Sequence, residues 1–117
     1  MFKLIIAGSR EFDNYPLLKE KVDFLLKNVT EDIEIVSGTA RGADTLGEKY
    51  ARENNFQVKL FPADWNKHGK SAGFIRNEEM AKYANACVVF WMNNSKGTKH
   101  MIDLSQKYNL KLRIYKC

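Results

Sequence analysis

Cysteine is scarce in this chain, and the little there is builds no framework. Cys87 lies in the apolar run Ala86 to Trp91 and Cys117 stands alone, with no C-x-x-C pair between them. This excludes a disulfide scaffold and a thiolate zinc site. Histidine is equally sparse. His68 and His100 are far apart, and although His100 and Asp103 share a helix face, one such pair is no metal site. No metal or cofactor is therefore expected. Long hydrophobic runs are missing too. Phe2 to Ala7 is too short for a signal-peptide core or a membrane span and breaks at once into Gly8-Ser9-Arg10, so it reads as a strand. The chain is expected in the cytoplasm, away from membranes. Prolines number two, and repeats and low-complexity segments are absent.

Several signatures are missing as well. Gly69-Lys70-Ser71 resembles the end of a phosphate-binding P-loop, but Asp64 occupies the place of its first glycine and no strand leads into it. Gly38, Gly42 and Gly47 do not satisfy G-x-G-x-x-G, and neither a G-x-S-x-G elbow nor a supported Cys-His pair occurs. These absences weigh against a kinase-like enzyme, a dinucleotide dehydrogenase and a serine hydrolase.

What is present fits one soluble domain over residues 1–117: 44% hydrophobic, 28% charged, with a formal net charge of +5. The positive balance favours anionic partners, yet the basic residues, including Lys107, Lys111, Arg113 and Lys116, are scattered rather than massed. Strand candidates are Phe2–Ala7, Ile33–Val36, Gln57–Phe61, Ala86–Trp91 and Leu110–Tyr115. Helical stripes alternate with them: Leu17, Leu18, Val22, Leu25 and Leu26 after Pro16; Leu46, Tyr50 and Ala51; Ile75, Met80, Tyr83 and Ala84; Met101, Ile102 and Tyr108. Five strands alternating with four helices predict an α/β, Rossmann-like three-layer fold. Its five-stranded sheet is mainly parallel, and the simplest strand order is 3-2-1-4-5. Pro62 to Lys70 reads as a long irregular loop, a frequent carrier of function.

In such a sheet the loops after the strands share the carboxyl edge, where ligands bind. The unusual residues all fall there: Gly8-Ser9-Arg10, then Ser37-Gly38-Thr39-Ala40-Arg41-Gly42-Ala43-Asp44, then Pro62-Ala63-Asp64-Trp65, then Asn93 to Thr98. The second run reads as a phosphate cradle. Its glycines admit a close ligand, Arg41 offers a fork of donors, and the following helix points free N–H groups at the same spot. The bland alternative is a tight turn with a solvated arginine. Ser71 is placed as the N-cap of the third helix, with Arg76 in its first turns on an inward face. Arg76 then binds phosphate or pairs with Asp44 or Asp64, unless it merely covers the core with its stem. Asn77 is placed to bond a base or ribose. Trp65 has three open roles: stacking on a base, covering the core or meeting a second copy. Asp44 and Asp64 are the acidic candidates for ribose hydroxyls or general-base work.

Taken in order, these elements, with Ala72-Gly73, Arg76-Asn77, Met80 and Gly97-Thr98, resemble the YspA/YpsA-related branch of the SLOG superfamily. That superfamily also holds the LOG nucleoside-monophosphate phosphoribohydrolases and the DNA-processing protein DprA, and the branch occurs in bacteria and phages. The resemblance implies a nucleotide or nucleotide-derived ligand at Gly8, Ser9, Arg10, Ser37, Gly38, Thr39, Arg41, Gly42, Asp44, Asp64, Trp65, Arg76, Asn77, Gly97 and Thr98. Arg76-Asn77-x-x-Met80 is similar to the R-K-x-x-M element of the LOG enzymes. Their P-G-G-x-G-T-x-x-E element aligns with Asn93 to Met101, which keeps Gly97-Thr98 but puts Met101 where the catalytic glutamate belongs. The resemblance thus implies binding or sensing ahead of N-glycosidic hydrolysis, with a DprA-like nucleic-acid module as a third reading. Related folds pair, so a homodimer is expected.

Overall fold

Leu4, Ile5, Ile6 and Ala7 are buried, and so are Cys87, Val88, Val89 and Phe90. Alternate side chains of a strand leave opposite faces, so these two segments need apolar cover on both sides. The computed structural model, which describes residues 1–117, places them at the centre of a parallel sheet. Its strands are β1 (Phe2–Gly8), β2 (Ile33–Ser37), β3 (Gln57–Leu60), β4 (Ala86–Trp91) and β5 (Lys111–Lys116). Their spatial order is β3-β2-β1-β4-β5, as expected, and every pairing is parallel. The outer strands expose Lys59 on β3 and Lys111, Arg113 and Lys116 on β5, charges that discourage edge-to-edge pairing.

The helices are α1 (Tyr15–Leu26), α2 (Ala43–Glu53), the short α3 (Trp65–His68), α4 (Ala72–Tyr83) and α5 (Lys96–Lys107). One core layer joins Leu4, Ile6, Val88 and Phe90 to Leu18 and Val22 of α1 and to Tyr50 and Ala51 of α2. The other joins Ile5, Val36, Cys87 and Val89 to Met80 and Ala81 of α4 and to Met101 and Ile102 of α5. The chain therefore runs outward from β1 to β3 with its helices on one face. It then crosses to β4 and lays α4 and α5 on the other. The loops after β1 and β4 turn to opposite faces, which opens a crevice at their carboxyl ends.

Local chemistry sets the boundaries. Asn14 caps α1 by accepting from the Leu17 amide at 3.1 Å, and Pro16 sits in the first turn, where its missing N–H costs nothing. Residues 62–70 are less irregular than expected. They hold α3 and enter a 3-10 turn at Gly69–Ser71, which feeds directly into α4. Ser71 precedes α4 but makes no capping bond, because the chain arrives already wound and leaves no free helix start for its hydroxyl. No helix is long and apolar enough to cross a membrane.

Candidate functional site

The crevice begins at Gly8. A Cβ there would collide with the Phe90 carbonyl oxygen and lie 2.9 Å from Ala43 Cβ, so only glycine lets α2 and β4 close in. Ser9 is fully buried. Its hydroxyl donates to the Met92 carbonyl at 2.9 Å and accepts from the Met92 amide at 2.8 Å, joining the ends of β1 and β4. The side chain expected to meet a phosphate instead holds the crevice at its root. Gly42 has φ +84°, and a Cβ would strike the carbonyl oxygens of Ser9 and Arg10. Gly42→Ala therefore combines a disfavoured backbone with a main-chain clash, and a loss of more than about 2 kcal/mol in urea unfolding is expected.

The cradle residues divide in the same way. Ser37 is buried; its hydroxyl donates to Glu48 Oε2 at 2.6 Å and accepts from the Thr39 amide at 3.1 Å. It shapes the loop from behind. Thr39 has φ +65°, an uncommon state for a β-branched residue and a form of stored strain that gathers at binding loops. Asp44, in the first turn of α2, is only 6% exposed, and its Oδ2 accepts from the Ala40 amide at 3.2 Å. Burial lifts its pKa to about 6, while the Ala40 hydrogen bond and the Arg76 charge hold it down.

Gly38 is the meeting point. A Cβ on it would lie 2.8 Å from Asp44 Oδ2 and 2.9 Å from Arg76 Nη1, so both side chains close over bare backbone. Arg76 is half-buried. Its Nη1 donates to the Gly38 carbonyl and its Nε to Asn77 Oδ1 at 3.0 Å. Burial lowers the Arg76 pKa, against support from Asp44, and the neighbouring Arg10 lowers it further. Arg76 thus stands in the field of Asp44 while bonding to main chain and amide. Asp64 is elsewhere: it caps α3 by accepting from the Lys67 amide at 3.0 Å. Asn77 reaches across to α5, with Nδ2 3.3 Å from His100 Nδ1 and 3.5 Å from the Gly97 carbonyl.

Two clefts of about 390 Å³ each open on this edge. The first lies over the β1–β4 crevice. Gly8, Arg10, Asp44, Arg76, Asn77, Gly97 and Thr98 line it, all expected from sequence. So do Glu11, Asn93, Ser95 and the thioethers of Met80, Met92 and Met101, which were not expected as a set. Asn93 and Asn94 hold φ of 53° and 51°, so the Asn-Asn pair was a readable turn signal. Glu11 carried no signal. Ser95 caps α5 through the Thr98 amide at 3.4 Å, and the first turn of this helix borders the cleft. The Gly97 Cα borders open space, and Met101, at the glutamate position of the LOG motif, brings no acid.

The second cleft lies between the loops after β2 and β3. Gly38, Thr39, Arg41 and Trp65 line it, with Pro62 and Ala63. Arg10, Ala40 and Arg76 border both clefts, so two guanidinium groups form the ridge between them. No arginine takes part in any of the five ion pairs of the protein. Ser9, Ser37, Gly42 and Asp64 border neither cleft.

The model of the YspA, cpYpsA-related SLOG family matches residues 2–68, from β1 through α3. The Gene 61 protein of Mycobacterium phage D29 is 34% identical over 113 residues, covering 92% of this chain and 90% of that protein. Among solved structures, DNA processing protein A (DprA) from Helicobacter pylori, described for its single-stranded DNA binding mode, superposes with a TM-score of 0.72 at 19% identity. DprA from Streptococcus pneumoniae follows with a TM-score of 0.57 at 16% identity. The alignments take in 97% and 96% of this chain but only 64% and 58% of the two DprA chains. At these identities the likeness is one of fold.

Proposed function

The chain belongs to the YspA, cpYpsA-related SLOG family, and we propose from that premise that it binds a nucleotide or nucleotide-derived ligand at the carboxyl edge of its sheet. The observation that carries this reading is the ridge of Arg10 and Arg76 between the two clefts, free of any ion pair with a carboxylate. Arg10 lowers and Asp44 raises the Arg76 pKa, so the two arginines repel and the carboxylate offsets this from beyond ion-pair distance; an anion on the ridge stabilises both arginines through forked hydrogen bonds. The first turn of α5, with Gly97 and Thr98, borders the first cleft, and the positive end of that helix favours negative charge. Phosphate therefore belongs on the ridge. In the first cleft Asp44 and Glu11 supply acceptors for ribose hydroxyls, and the three methionines supply an apolar, adaptable floor for a base.

Binding without turnover is the reading preferred over hydrolysis. Cleavage of an N-glycosidic bond passes through an oxocarbenium-like state that a carboxylate stabilises. A buried thioether stands at the position where the related enzymes carry that glutamate. Thermal-shift measurements against nucleoside mono-, di- and triphosphates, with mass spectrometry of the mixtures, test both halves. The expected result is a rise in melting temperature with no released base. Released base would restore hydrolysis, with Asp44 as the acid to mutate first. No rise at millimolar nucleotide would overturn the site. A salt-dependent shift with single-stranded DNA alone would then favour a nucleic-acid module.

A further inference from the structure

The second cleft is as large as the first, and a mononucleotide bound as above leaves it empty. Its chemistry differs. The first cleft mixes arginines with Asp44 and Glu11, whereas the second has Arg10, Arg41 and Arg76 and no carboxylate. Its far wall is Trp65, 52% exposed. This indole stands on an anchored backbone. Its backbone sits in a turn closed by Asp64 at one end, and by the Gly69 amide donating to the Trp65 carbonyl at the other. Its ring edge approaches Gly73 of α4, where a Cβ would lie 3.7 Å from Trp65 Cη2. An aromatic ring left half in water in a cleft with three arginines matches the surroundings of a phosphate followed by a second ring.

We propose, building on the nucleotide reading above, that the ligand is a free dinucleotide: two nucleosides joined by a short phosphate bridge. One nucleoside occupies the cleft between β1 and β4. The bridge lies over Arg10 and Arg76, and the second base stacks on Trp65 beside Arg41. A DNA strand has the same outline but fits the first cleft less well. Asp44 and Glu11 there accept hydrogen bonds from a free ribose diol, which DNA lacks, and they repel a continuing chain of phosphates.

The test measures affinities of the intact chain for adenosine monophosphate, diadenosine diphosphate and a short oligodeoxynucleotide at one salt concentration, with wild type, Trp65→Ala and Trp65→Phe. Diadenosine diphosphate is expected to bind tightest. Trp65→Ala is expected to weaken it about tenfold, as loss of a base stack does, leave the monophosphate unchanged, and be largely rescued by Trp65→Phe. Because Trp65 is half exposed, all three proteins should melt alike without ligand. Quenching of tryptophan fluorescence by the dinucleotide should vanish in Trp65→Phe if only Trp65, and not Trp91, meets the base. Equal affinity for mono- and dinucleotide with an indifferent Trp65 would overturn this proposal and leave the nucleotide site standing. Tighter binding of the oligodeoxynucleotide would overturn it in favour of a nucleic-acid strand. No binding of any nucleotide would overturn both readings.

Discussion

Arg76→Ala is expected to weaken nucleotide binding by roughly 10- to 150-fold, the equivalent of a charge-assisted hydrogen bond worth about 1.5–3 kcal/mol. The reason is positional. Arg76 already spends Nη1 on the Gly38 carbonyl and Nε on Asn77, so its guanidinium is oriented before any ligand arrives. Binding then costs little side-chain ordering. Two controls separate a binding role from a structural one. Arg76→Lys keeps the charge near Asp44 but loses the planar fork, so it should recover only part of the affinity. Arg76→Ala also removes a cation that holds the Asp44 pKa down, so Asp44 should titrate above about 6 in that variant, readable by carboxylate NMR. Unaltered affinity with reduced stability would make Arg76 a structural residue.

Asp44→Asn is expected to raise stability at neutral pH. Burial raises this carboxyl from its ordinary 3.8 to about 6. Between those two values the folded chain retains a proton that the unfolded chain has released, so this group makes stability fall as pH rises through the window. The full penalty is present above about pH 6 and gone below about pH 4. Its size is on the order of 3 kcal/mol, from about 1.4 kcal/mol for each tenfold displacement of the proton equilibrium. Asparagine keeps an acceptor for the Ala40 amide and carries no charge. At neutral pH the variant should therefore be more stable by about 1–3 kcal/mol, or roughly 5–15 °C in melting temperature. That advantage should vanish in acid. The same variant should bind nucleotide less well, since a carboxylate facing the ribose is lost. Gain of stability with loss of binding would mark Asp44 as a residue kept for function. A flat difference between the two proteins from acid to neutral pH would refute the account.

These two side chains show why only part of the site was legible. Asp44 and Arg76 were both readable as candidates, because one follows a glycine-rich turn and the other puts a charge on an inward helical face. Their common dependence on Gly38 was not. It joins residues 38 positions apart and rests on a hydrogen bond from Arg76 to the Gly38 carbonyl and on the space a Cβ would fill, which no spacing rule contains. Ser9 and Ser37 illustrate the same limit. A small hydroxyl in a loop at the ligand edge carries one sequence signature whether it faces the ligand or the wall behind it. Here both face the wall, bonded to Met92 and Glu48. Asp64 was readable as an acid near the edge, but its role as the cap of α3 required seeing that residues 65–68 are helical. Four residues are too few for a periodic pattern to form.

The sequence by itself determined the architecture. Two strands with unbroken apolar runs demand cover on both faces, four longer helices carry apolar stripes to provide it, and right-handed crossovers leave few ways to connect them. It also determined which edge gathers the candidate ligand residues, because in a parallel sheet with such connections every strand-to-helix loop falls on the carboxyl side. Only the tertiary structure decided how that edge is divided. Whether Arg10 and Arg76 border one cleft or separate two, whether Trp65 covers the core or stands open beside Arg41, and whether Asp44 is solvated or buried all depend on where loops from different strands meet. Those meetings depend on close backbone approaches at Gly8, Gly38 and Gly42, and such approaches are properties of the packed molecule rather than of any local stretch of chain.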